Sequence, residues 1–304
     1  MTASPTTSHR PLYDNPYVVL TIAALAWSGN TIAGRLAVGQ VSPMALTCLR
    51  WAGVCLVLAF TARGELRAAW PALRARPGFV VAMGALGFTA FNALYYVAAH
   101  YTSAVNIGIL QGAIPLLVFL FALLLHGTAV TPMQILATVV GLSGVAVIAV
   151  KGDLSTLADL SFNFGDLLML GACIVYAVYT ALLPNRPKVS GFAFFSVLAI
   201  VALVTSLPLL GVEIAQGGLQ WPTPAGWVVV AYTVLFPSIL SQIMFMRGVE
   251  LIGPGRAGVF VNLIPVFSAI LAIILLGEDF HGYHAAALAL VLGGIFFAER
   301  SKRR

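Results

Sequence analysis

The chain has 304 residues, of which 60% are hydrophobic and only 9% charged, and its formal net charge is +6. A soluble domain carries about 25% charged residues, so a water-exposed surface cannot be built from this composition. Apolar runs of about 18 residues or more read as membrane-spanning helices, which makes this a polytopic, all-α membrane protein.

In chain order, residues 1–16 form a polar tail rich in Ser, Thr and Pro. Val18 to Ala26 has the length of a signal-peptide core, but the run continues to about Val38 without a clean small-residue cleavage site. An uncleaved first helix is predicted over 17–38, with Trp27, Asn30, Thr31 and Gly34 on one face. A second follows over 43–62 with Arg50 inside it. A buried arginine costs at least about 2.5–3.5 kcal/mol near a bilayer centre, so pairing with a loop carbonyl is expected of it rather than substrate contact. Residues 63–77, RGELRAAWPALRARP, read as a basic connector lying along the membrane surface.

The third helix, 78–99, places Asn92, Tyr95, Tyr96 and Ala99 at i, i+3, i+4 and i+7, one face. The fourth, 103–125, carries Pro115 between Gly108, Gly112 and a terminal Gly127. A fifth spans 132–150, and residues 151–164 link it to a sixth over 165–184, where Tyr176, Tyr179 and Thr180 share a face. Helices over 190–211 and 224–247 follow; the latter presents Ser241, Gln242, Phe245 and Met246 together. The ninth, 255–276, carries Pro265 after Gly258 and Asn262, and the tenth spans 282–299 before the basic tail 300–304. Turn chemistry marks the breaks, as in Val41-Ser42-Pro43, Arg76-Pro77-Gly78 and Gly253-Pro254-Gly255. Cys48, Cys55 and Cys173 lie within apolar runs and are expected to be free thiols packing as small apolar groups.

Sidedness follows from the basic residues. With the N-terminus inside, Arg10, Arg63, Arg67, Arg74, Arg76, Arg186, Lys188, Arg247, Arg256, Arg300, Lys302, Arg303 and Arg304 all fall inside, thirteen of the 16 Lys and Arg. Both termini are then cytoplasmic, with the 151–164 linker outside.

Shifting the sequence by 150 residues lays its second half on its first: Asn92 meets Gln242, Gly108 meets Gly258, Pro115 meets Pro265, Gly127 meets Gly277 and Gly144 meets Gly294. One residue of slippage nearer the start puts Trp27 and Asn30 over Tyr176 and Tyr179. Five helices per unit is an odd number, so residues 17–150 and 165–299 form inverted repeats. Such repeats are how many transporters are built, with the binding region at interrupted helices between them. Pro115 and Pro265 each free a backbone carbonyl and, with Gly108, Gly112 and Gly258, read as hinges; close helix packing is the competing explanation. Gly141, Gly144, Gly293 and Gly294 read as packing contacts.

The two halves resemble the EamA unit of the drug/metabolite transporter superfamily. The resemblance rests on Ala26-Trp27-Ser28-Gly29-Asn30, on Asn92-x-x-Tyr95-Tyr96-x-Ala98, on the proline helices ending in Gly127 and in Leu276-Gly277-Glu278, and on the glycine-rich fifth and tenth helices. It covers residues 17–299. Thr128 stands where the family usually has Glu, so that position is not essential in both halves. Within the superfamily the chain looks most like the YddG-type exporters of aromatic amino acids. The resemblance implies ten helices around a central cavity lined largely by the first, third, fourth, sixth, eighth and ninth. The candidate substrate-binding residues are Trp27, Asn30, Asn92, Tyr95, Tyr96, Gln111, Tyr176, Tyr179, Gln242 and Asn262. For the aromatic residues an interfacial or packing role competes, and Asn92 has the alternative of bonding a neighbouring helix.

The expected activity is export of small metabolites, most of all amino acids including aromatic ones, across a bacterial inner membrane by alternating access. The partners are then a small solute and the lipid bilayer, with no cofactor and no nucleic acid. No carboxylate lies well inside a predicted span, which favours a facilitator over a proton-coupled exporter; His100, at the outer end of the third helix, is the candidate exception. The same lack of carboxylates, together with histidines confined to the tail and helix ends and no metal-ligand spacing, speaks against an intramembrane enzyme. A channel or receptor is the remaining rival.

Overall fold

The computed structural model describes residues 12–102, 107, 110–127, 130–150, 153, 163–276 and 281–300. The proposed hinge Gly108, Thr128, most of the 151–164 linker and the Gly277–Glu278 ending lie outside these residues.

Among the described residues the fold is all-helical. Helices α1 (Pro16–Ala37), α2 (Pro43–Thr61) and the amphipathic α3 (Arg63–Arg74) come first. Next, α4 (Pro77–Gly84) runs through a π-helical turn at Ala85–Ala90 into α5 (Phe91–Tyr101). Then come α6 (Ile114–His126), α7 (Pro132–Ala149), α8 (Phe164–Leu182) and α9 (Gly191–Ala215). After them α10 (Pro224–Thr233) passes through a second π-helical turn, Val234–Leu240, into α11 (Ser241–Ile252). The chain ends with α12 (Pro254–Val259), a 3-10 turn at Phe260–Asn262, α13 (Leu263–Leu276) and α14 (Gly282–Arg300).

Six of these rods are long and apolar enough to cross a membrane: Pro16–Gly34, Pro43–Thr61, Pro77–Tyr101, Phe164–Asn185, Gly191–Ala215 and Pro224–Ile252. Leu110–His126, Pro132–Val147 and Gly282–Ala298 are shorter apolar helices. Large apolar side chains cover the outside: Phe60 is 76% exposed, Leu124 66%, Val228 70% and Ile274 70%. A surface of that kind marks contact with lipid rather than water. Between α2 and α4, the connector helix α3 buries Ala69 and Leu73 against the bundle and leaves Trp70 half exposed.

Proline and glycine set the helix ends. Proline stands in the first turn of α2, α4, α6, α10 and α12, where its missing N–H would have had no intrahelical acceptor. Gly127 ends α6 in the left-handed conformation at φ 63°, its N–H reaching the Leu123 carbonyl. Gly253, at φ 82° and ψ 160°, turns the chain between α11 and α12 in a region of backbone space essentially closed to other residues.

The internal repeat is visible in the packing. The π turns at 85–90 and 234–240 overlie one another at the 150-residue offset found in the sequence. Gly144 and Gly294, another matched pair, both lie where α7 and α14 cross. A Cβ on Gly144 would stand 2.8 Å from the Ala287 carbonyl, and one on Gly294 2.6 Å from that of Ala137. Only hydrogen fits at these two contacts.

Polar contacts gather at the two ends of the bundle. At one end Arg186 bonds Glu250, and Arg247 bonds both Glu250 (2.8 Å) and Asp14. Ser190, ahead of α9, bonds Glu65 of α3 at that same end. At the other end Glu213, near the finish of α9, accepts the Ser42 hydroxyl and the amides of Met44 (3.0 Å) and Ala45 (3.1 Å) in the first turn of α2. The three cysteines are free, Cys48 and Cys173 fully buried.

Candidate functional site

A central cavity of about 30 Å³ lies among α1, α2, α5, α6, α8, α11 and the start of α13 with the 3-10 turn before it. That volume holds about two waters. Trp27, Asn30, Asn92, Tyr95, Gln111, Tyr176 and Gln242, all expected from the sequence, line it, and so do Thr31, Arg50, Phe91, Ile114, Val261 and Ile264. The wall is built largely of repeat-related pairs. Asn92 with Gln242, Gln111 with Val261 and Ile114 with Ile264 stand 150 residues apart, and Trp27 with Tyr176 stand 149 apart. Val261, Ile114 and Ile264 were missed by reasoning on polar residues alone, yet the repeat offset points to Val261 from Gln111, and the two isoleucines immediately precede the matched prolines.

Aromatic rings make up much of the wall. Trp27 meets Tyr176 edge to face at 6.0 Å between centroids and Phe245 at 5.1 Å, and Phe91 meets Tyr176 at 4.9 Å. The Trp27 indole N–H donates to the Pro237 carbonyl at 3.1 Å, inside the second π turn. Wider hydrogen-bond spacing in a π turn leaves backbone carbonyls to other donors. Ser238 and Ser241 take two of them, at Thr233 (2.6 Å) and Phe236 (2.9 Å), each five residues back.

Arg50 reaches no loop carbonyl. It is 2% exposed, and its Nε donates to Ser238 Oγ at 2.5 Å. Its Nη1 donates to Asn92 Oδ1 at 2.9 Å and to the Tyr96 hydroxyl at 2.7 Å. The Tyr96 hydroxyl in turn donates to Asn30 Oδ1 at 3.2 Å, and the Asn92 amide nitrogen donates to the Phe88 carbonyl in the first π turn. The guanidinium carbon also lies 5.4 Å from the centroid of the Trp51 ring, a distance at which the ring face attracts a cation. Among the described residues no carboxylate lies within ion-pair distance of Arg50.

Three of the expected site residues stand away from the wall. Tyr96 is one layer behind it, in the Arg50 network. Tyr179 is fully buried against the first π turn, its ring 5.6 Å from that of Phe88 and so close to Gly87 that a Cβ there would lie 2.4 Å from it. Asn262 is fully buried in the 3-10 turn before α13, with neither side-chain polar atom hydrogen bonded. Its Nδ2 would be 2.5 Å from a Cβ on Gly141. Tyr176 and Gln242 adjoin each other, but the geometry falls short of a hydrogen bond and leaves the Tyr176 hydroxyl and Gln242 Oε1 unpartnered. Orphaned buried polar atoms are rare in native proteins, and these two belong to residues that line the cavity.

The prolines sit differently from the sequence expectation. Pro115 is not inside a continuous helix: Ala113 forms a turn, α6 starts at Ile114, and Pro115 occupies its first turn. Pro265 follows the 3-10 turn at Phe260–Asn262 in the same way. Each proline thus falls at a break in the rod. Gly258 of α12 packs over Pro115, a Cβ there lying 3.8 Å from the proline Cα. Gly112 faces Leu142, which a Cβ would meet at 2.7 Å.

The profile of the EamA-like transporter family matches residues 15–150 and again residues 163–299. A relative from Bacillus subtilis, the uncharacterized transporter YyaM, is 24% identical over 292 residues, covering 93% of each chain. The aromatic amino acid exporter YddG of Ancylobacter novellus is 25% identical over 290 residues, 93% of this chain and 96% of that one. A probable terminal-alkyne amino-acid exporter of Streptantibioticus cattleyicolor is 25% identical over 284 residues, 93% and 92% of the two chains.

Proposed function

Since the chain belongs to the EamA-like transporter family, we propose that it exports amino acids, aromatic ones included, across the bacterial cell membrane. In this reading ten crossings form two inverted repeats that exchange inward-open and outward-open arrangements around the central cavity. The termini and the Arg186–Arg247–Glu250 cluster face the cytoplasm. The observation that carries the proposal is the wall of the cavity, where the aromatic rings of Trp27, Phe91, Tyr95 and Tyr176 surround the polar groups of Asn30, Asn92, Gln111 and Gln242. Stacked rings and fixed amides suit a solute with a flat apolar body and a polar end. Two of the relatives are named as amino-acid exporters, which agrees with this reading.

Movement down the solute's own gradient fits the same wall, since its described lining contains no Asp, Glu or His to load and release a proton. His100, the sequence candidate for coupling, lies exposed at the end of α5. Purified protein in sealed liposomes should take up radiolabelled L-phenylalanine against a preload of unlabelled L-phenylalanine, with saturation and counterflow and without need of a pH gradient. Linear, non-saturating flux would point to a channel. Accumulation driven by a pH gradient at equal internal and external solute would overturn the facilitator.

A further inference from the structure

We infer that Arg50 is the carboxylate-binding residue of the transport site, so that a carboxylate is the obligatory feature of the solute. The inference rests on the reading of the cavity as a solute site and adds to it the chemistry the solute must carry.

A guanidinium has five N–H donors in a fixed fork. The protein uses three: Nε on Ser238, and both hydrogens of Nη1 on Asn92 and Tyr96. Nη2 has no partner among the described residues, and it is not among the buried polar atoms that are both unpartnered and closed to solvent. The two remaining donors are therefore open, in a residue that lines the cavity.

Charge makes the same point. Arginine keeps its charge in proteins, and a buried charge without a counter-ion is expensive to hold. All three groups that hold Arg50 are neutral, and the nearby Trp51 ring compensates only in part. If Arg50 served packing alone, a neutral side chain in its place would avoid that cost. The matching positions in the second repeat show that the fold tolerates one, since Ala199 or Ile200 stands there. Its neutral partners fix the orientation of the fork: Asn92 and Tyr96 come from α5 in the first repeat and Ser238 from the π turn before α11 in the second. A carboxylate on Nη2 would supply the missing anion. It would also tie α2, α5 and the second π turn together through one residue, so arrival of the solute reports to both halves at once.

The test compares acids with their amides, which differ in the carboxylate and little else. Purified wild-type protein is titrated with L-phenylalanine and L-phenylalaninamide, L-leucine and L-leucinamide, and hydrocinnamate and hydrocinnamamide. Thermal stabilisation in detergent gives the half-saturating concentration, and competition in liposome counterflow gives a second measure. The acids should bind at least about tenfold more tightly than their amides, as loss of a hydrogen bond to a charged group requires. R50Q should abolish that preference, and R50K should keep part of it. Amides bound as well as acids would overturn the role of Arg50 while leaving the protein an amino-acid carrier. Hydrocinnamate bound and both amino acids refused would keep the carboxylate rule and sink the amino-acid reading. No acid bound at all would overturn both. Should R50Q fail to fold, the wild-type comparison alone decides.

Discussion

The Glu213 carboxylate takes the Ser42 hydroxyl and two amides of the first turn of α2. It does for that helix what a capping side chain does elsewhere, but from a residue 168 positions away from Ala45. The first-turn amides and the helix dipole both favour an anion there. Glu213→Gln should lower stability by about 1–2 kcal/mol, read as a lower melting temperature in detergent, with the half-saturating concentration of L-phenylalanine unchanged. A wild-type melting temperature would mean that water replaces the carboxylate at no loss. At the cavity the expectation is the opposite. Asn92→Ala removes a partner of Arg50 and should weaken solute binding about tenfold with the protein still folded, and Gln242→Ala, at the matched position, should also weaken it. Unchanged affinity in both would place the site on another face of α5 and α11. Asn92 was legible in the sequence because helical spacing puts it on one face with Tyr95 and Tyr96. The setting of Arg50 was not. Periodicity tells which side of a helix is inward but not what it meets there, and Ser238 comes from 188 residues away.

Among the elements, the matched prolines stand at breaks that already exist. A proline in the first turn of a helix loses no intrahelical bond, so the expected effect of these two is to keep the rod from closing into one continuous helix. Pro115→Ala and Pro265→Ala should let α6 and α13 grow backwards through those breaks. Counterflow should slow severalfold while the yield of folded protein stays near wild type. Wild-type rates in both single variants and in the double variant would make the prolines packing residues. The π turns mark the limit of reading elements from sequence. Residues 78–99 and 224–247 give an unbroken apolar pattern, and a π turn has the same composition as the helix around it. Pro237 is a hint in one half only. Gly87, Gly144 and Gly294 look alike in the sequence as small residues, and only the structure shows which backbone or ring each one admits. Gly294→Ala should cost about 1–3 kcal/mol by pushing α14 off α7, seen as a fall in melting temperature larger than that of Gly64→Ala, where a Cβ meets nothing within 4 Å.

The whole molecule has an expected sidedness that one labelling experiment settles. In a background without Cys48, Cys55 and Cys173, Leu157→Cys should react with an impermeant thiol reagent added outside the cell, and a cysteine at Arg63 should react only from the cytoplasm. Reaction of residue 157 from the cytoplasm alone would invert the topology. The basic residues suggest the orientation in sequence, while the pairing of Glu65, Arg186, Arg247 and Glu250 at one end and of Ser42 with Glu213 at the other appears only when the chain is folded. The two π turns carry a further consequence, one of ancestry. A π turn is what a helix becomes when it accommodates one residue too many, and both halves have accommodated it at the same place. A single such event in an ancestral unit, before its gene was doubled, would account for both turns. Arg50, with Ala199 or Ile200 at the corresponding place in the other half, would then be a change made after the doubling, in one copy alone.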